Sequence, residues 1–95
     1  MSSNKTLKKE LVLRNENGLH VRPASVFVQL AMTFDSEIQV INLSTRQSSD
    51  GKSVMGMLML AAPKGTKLLV EVCGADCEQA MAALEDLVNR GFDED

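Results

Sequence analysis

Two hydrophobic periods take turns along this chain, and their order limits what it can fold into. Apolar residues at every second position mark Thr6 to Arg14, Ser36 to Leu43 and Thr66 to Cys73, the pattern of strands with one buried face. Leu11 and Leu13 share a face in the first, opposite Glu10, Val12 and Arg14. Ile38 and Val40 share one in the second, and Leu68, Val70 and Val72 in the third. Thr45 to Asp50 reads as a weaker strand that ends at the turn Asp50-Gly51. Between the strands the period changes. From Pro23, which suits a first helical turn because its missing N–H costs nothing there, Ala24, Phe27, Val28 and Ala31 recur at helical spacing, and Phe34 closes the segment.

Two more helices are predicted. Ser53 can cap a short one running to about Leu60, broken by Pro63-Lys64-Gly65. Asp76-x-x-Gln79 resembles a capping box and opens a helix whose apolar face is Ala80, Met81, Leu84, Leu87 and Val88, with Gly91 as its stop. The order β-α-β-β-α-β-α predicts an α+β fold, a four-stranded antiparallel sheet with three helices on one face. Its 95 residues suffice for a single domain over 1–95, with 1–5 a loose leader.

Composition narrows the function. Thirteen acids against ten bases give a net charge of −3, which argues against binding nucleic acid through a general basic surface. No apolar stretch reaches the roughly 18 residues of a membrane span, and Met1-Ser2-Ser3-Asn4-Lys5 lacks the apolar run of a signal peptide. A cytoplasmic protein without membrane insertion is expected. Cys73 and Cys77 are not spaced as C-x-x-C, and one histidine leaves too few ligands for zinc, so buried or half-buried free thiols are expected and no metal. With three Phe and no Trp or Tyr, the core must come from aliphatic side chains and methionine. The acidic Asp93-Glu94-Asp95 reads as a solvated end.

The chemistry gathers in Gly18-Leu19-His20-Val21-Arg22-Pro23-Ala24. His20, the one histidine, lies just before a Pro-started helix, and helix N-termini offer free N–H groups and a positive dipole end to anions. A ring nitrogen there can act as nucleophile while the N–H groups hold phosphoryl oxygens. Arg22 adds a fixed charge and a forked donor for phosphate stabilisation. Gly18 permits the turn that exposes the ring.

This segment resembles the active-site signature of the HPr family, the histidine phosphocarriers of the bacterial phosphoenolpyruvate phosphotransferase system. Gly51-Lys52-Ser53-Val54-Met55-Gly56-Met57 is similar to the family's regulatory serine segment. Lys64-Gly65-Thr66 and Gly74-Ala75-Asp76 fit as well, and the resemblance spans about residues 6–91. It implies the family's open-faced β-sandwich, phosphorylation of His20 at Nδ1, Enzyme I as donor, an EIIA protein or domain as acceptor, and Ser53 as target of an HPr kinase/phosphorylase. It implies no cofactor, a monomer, and a stoichiometric carrier rather than an enzyme. Family members often carry basic residues on the first helix, where Gln29 and Met32 stand here. The ending Gly91-Phe92-Asp93-Glu94-Asp95 resembles nitrogen-branch members, whereas Lys52 to Gly56 resembles the serine-regulated sugar branch.

Val54 to Leu60 is apolar all round. Met57 and Leu60 are expected in the core; Val54, Met55 and Leu58 are expected to form a partner-binding patch. Two other classes compete with the carrier. A regulatory HPr-like module acting through phosphoserine alone would not need His20. A small phosphatase would need a group to activate water, and no acid or second base lies near His20 in sequence.

Overall fold

The computed structural model describes residues 5–94. Its elements are β1 (Thr6–Val12), α1 (Val21–Ala31), β2 (Glu37–Asn42), β3 (Ser48–Asp50), α2 (Val54–Met59), β4 (Lys67–Cys73), α3 (Cys77–Asn89) and a short 3-10 turn, Gly91–Asp93. The four strands form one sheet in the order β1-β4-β2-β3, every pair antiparallel. With the three helices, this is the α+β architecture that the alternating periods predict.

The register shows why β4 lies inside the sheet. Val72 stands between Leu7 of β1 and Ile38 of β2, and Val70 between Lys9 and Val40. Leu68 stands between Leu11 and Asn42. Leu68, Val70 and Val72 are all buried, as are Leu11, Leu13, Ile38 and Val40. Against this face pack Ala24, Phe27, Val28 and Ala31 from α1, Met57 from α2, and Ala80, Met81, Leu84, Leu87 and Val88 from α3. Each large aliphatic side chain buried here contributes about 1.5–3 kcal/mol, the main force holding helices to sheet.

Asn42 occupies the end of an otherwise apolar row, and its polar groups are used. Its amide donates to the Leu60 carbonyl at 2.9 Å, and its Oδ1 accepts from Ser44 N–H at 2.9 Å. It thereby ties the end of β2 to the end of α2.

Three local expectations are corrected. The strand expected over Thr45–Asp50 covers only Ser48–Asp50, because Arg46 adopts φ 66° in the turn while its N–H bonds back to the Asn42 carbonyl at 2.7 Å. A chain reversing there cannot stay extended. Asp76 sits at the start of α3 but its carboxylate does not cap it. It accepts instead from Asp35 N–H at 2.8 Å, Ser36 N–H at 3.0 Å and Ser36 Oγ at 2.5 Å, pinning the entry of β2. The Ser36 hydroxyl and the Asp35 N–H hold the Asp76 carboxyl below the usual carboxylate range. Gly74 makes this junction possible: a Cβ there would lie 2.5 Å from Ser36 Oγ and 2.7 Å from its Cα. Lys5, read as leader, is attached: its carbonyl accepts from Gly74 N–H at 3.1 Å and its Nζ pairs with Glu78. The rest of that leader, residues 1–4, lies outside the described residues.

Candidate phosphoryl-acceptor site

The site begins with a loop pressed onto the core. Asn15 accepts from Gly18 N–H at 3.1 Å to close the turn, and Leu19, buried, donates its N–H to the Ala62 carbonyl at 2.9 Å. Gly18, at φ 65°, passes so close to that segment that a Cβ would meet the Ala62 oxygen at 2.4 Å. The residue type is therefore set by both conformation and space.

His20 follows as the N-cap of α1, in extended conformation (φ −92°, ψ −169°). Its carbonyl receives the Ala24 N–H at 3.0 Å, and its side chain makes no cap bond. Pro23 is the third helical residue and has no N–H. The Val21 and Arg22 N–H groups precede the first intrahelical bond and, as at any helix start, have no partner within the helix. The His20 side chain is 40% exposed, enough for a partner to reach it.

A second segment completes the site. After α3, Gly91, Phe92 and Asp93 take positive φ values of 65°, 58° and 61°. A phenylalanine in this conformation is strained; burial of its ring, 6% exposed, offsets the cost. The reversal carries Glu94 back to His20, with Nε2 3.3 Å from Oε1 and 3.2 Å from Oε2. Asn15 Nδ2 fixes the carboxylate with a 3.0 Å bond to Oε1 and bonds the Gly18 carbonyl at 2.7 Å. Desolvation opposes ionisation of Glu94, but the Asn15 amide, the His20 ring and the Arg22 charge together hold its carboxyl below the usual range. Glu16, Asn17, His20, Arg22, Phe92, Asp93 and Glu94 line an open cleft of about 510 Å³.

The expected site residues are thus placed as follows. His20 and Arg22 share the cleft. Ser53 is the N-cap of α2, its Oγ accepting from Gly56 N–H at 3.0 Å. Val54 and Leu58 are half-buried and pack against the core, so they are not the open surface expected of them; Met55 (70%) and Met59 (71%) face outward instead. In α2 the positions 54, 57 and 58 fall on one helical stripe, and 55 and 59 on another that turns outward. The acidic end is not free in solution up to Glu94, and an acid does lie beside His20. Sequence reasoning missed Glu94, Asn15 and Phe92. The available signal was an apolar residue directly after a C-terminal glycine, a position that often folds back onto its helix.

Comparison with known proteins identifies the family. Residues 7–90 match the family model described as PTS HPr component phosphorylation site. The chain is 46% identical over 88 residues to phosphocarrier protein HPr of Neisseria meningitidis, covering 93% of this chain and 97% of that protein. It is 38% identical over 90 residues to phosphocarrier protein NPr of Escherichia coli, covering 95% and 99%. The crystal structure of HPr-C-His from Thermoanaerobacter tengcongensis superposes with a TM-score of 0.88 at 35% identity, over 94% of this chain and 98% of that one. The family model and these relatives define the class, that of the phosphocarriers. The chain belongs to the HPr family of the phosphotransferase system, whose members are phosphocarriers.

Proposed function

We propose that the whole chain acts as one carrier domain that accepts a phosphoryl group on His20 and hands it on. The observation that carries this reading is the half-exposed ring of the sole histidine at the N-cap of α1, beside Arg22 and two free N–H groups. Nδ1 attacks phosphorus, an N–P bond forms, and the bond to the donor's leaving atom breaks with its electron pair staying on the donor. Arg22 and the first-turn N–H groups face the charge on the phosphoryl oxygens. The donor is Enzyme I charged from phosphoenolpyruvate, and the acceptor is an EIIA protein. The chain works as a monomer in the cytoplasm and is regenerated rather than turning over, so it is not itself an enzyme.

Ser53 adds a regulatory site for an HPr kinase/phosphorylase. A phosphate on Ser53 meets the free N–H groups of α2 and is tolerated there, while placing up to two negative charges beside exposed Met55. Such charge opposes docking of an acidic, apolar partner face. The test of the carrier reading is a chase. Protein labelled by Enzyme I and phosphoenolpyruvate should stop at one phosphate per chain and lose it stoichiometrically to an added EIIA. Continuous release of inorganic phosphate would instead mark a phosphatase.

A further inference from the structure

Glu94 lies outside the stretch that matches the family model, which ends at residue 90. Yet it is the carboxylate that reaches the histidine. Its approach is braced from two sides. Phe92 is anchored in the core two residues earlier, and Asn15, itself only 4% exposed, holds Oε1 from the other side.

A neutral imidazole carries one proton, and the hydrogen bond made at one nitrogen decides where it resides. A carboxylate accepts, so the Glu94 contact places the proton on Nε2. Nδ1 is left with its lone pair, and among the described residues no hydrogen bond engages it. We infer that Glu94 is a positioning residue for phosphoryl transfer, holding His20 in the tautomer with Nδ1 unprotonated and balancing the charge that develops on the ring. The inference rests on His20 being the phosphoryl acceptor.

The step balances without another reactant. The Nδ1 lone pair forms the bond to phosphorus, and the bond from phosphorus to the donor breaks, its electrons remaining on the donor. Nε2 keeps its proton throughout. The ring becomes cationic as Nδ1 gives up its lone pair, and Glu94 faces that charge across 3.2 Å. On transfer to the acceptor the charge disappears again. A carboxylate on the far nitrogen of a reacting histidine serves hydrolytic triads in the same way.

The experiment reads tautomer and rate separately. Imidazole 15N shifts of the unphosphorylated protein, taken where the ring is neutral, report the tautomer. Initial label uptake from Enzyme I and phosphoenolpyruvate reports the rate, and thermal melting confirms folding. Wild type should be mainly the Nε2–H form. Glu94→Ala should move the ring to a mixture and slow uptake about tenfold. Glu94→Gln keeps an acceptor oxygen without charge, so it should preserve the tautomer but not the rate. A Glu94→Ala protein with the wild-type tautomer or the wild-type rate would overturn the inference, and full rate in Glu94→Gln would remove its charge-balancing half. Wild type that takes no label on His20 would overturn the carrier reading itself, an outcome distinct from labelled wild type whose rate ignores Glu94.

Discussion

Two polar side chains show what single residues contribute and why sequence concealed them. Asn42 interrupts an apolar row, and nothing in the pattern reveals that its partner is the Leu60 carbonyl eighteen positions away. Asn42→Ala should lower stability by about 1–3 kcal/mol, the cost of orphaning buried partners, measured by urea unfolding. Asp76 was legible as a helix start but not as the clamp on Asp35 and Ser36, because that contact spans forty positions. Its folded-state carboxyl titrates below the unfolded one. The stability it adds is therefore fully present above the unfolded value of about 3.8 and is lost as pH falls through the lower folded value. Asp76→Asn should destabilise the protein at pH 7 and flatten the acid limb of its stability profile, as thermal melts from pH 2 to 7 would show. An unchanged acid limb would mean the clamp contributes nothing through its charge.

Elements with one buried face were legible wherever their period was clear. The apolar positions that the spacing singles out in β2, β4, α1 and α3 fall in the core. The six residues of α2 were harder, since an all-apolar segment has no polar face to set its rotation. Packing sets it: Met57 goes fully into the core, Val54 and Leu58 flank it, and Met55 and Met59 are left outside. The two charged substitutions should therefore part company. Leu58→Glu should lower stability by about 1–3 kcal/mol, because it carries a charge into partly apolar surroundings. Met55→Glu should leave the melting temperature nearly unchanged and weaken binding to Enzyme I in a titration. Equal melting temperatures for both variants would contradict the observed rotation. Ser53→Asp keeps a capping acceptor at the start of α2 and should fold normally, yet take phosphate from Enzyme I more slowly. Uptake at the unmodified rate would reduce Ser53 to a cap.

The whole molecule joins two ends of the sequence at one histidine. The sheet and α1 fix the loop 15–20, which the motif around His20 made visible from the start. The closing turn after α3 brings Glu94 across 74 positions of sequence to the same ring. Its approach depends on three successive residues at positive φ and one buried phenylalanine, features that hydrophobic periodicity does not encode. The fold and the loop that holds His20 were thus readable from local pattern, and the second wall of the cleft was not. The central claim is that His20 bears the phosphoryl group, and chemistry tests it directly. Protein labelled with phosphoenolpyruvate and Enzyme I should lose its phosphate in acid and keep it in base, as a phosphoramidate does, and folded His20→Ala protein should take no label. Label retained by His20→Ala, or stable in acid on the wild type, would contradict the account.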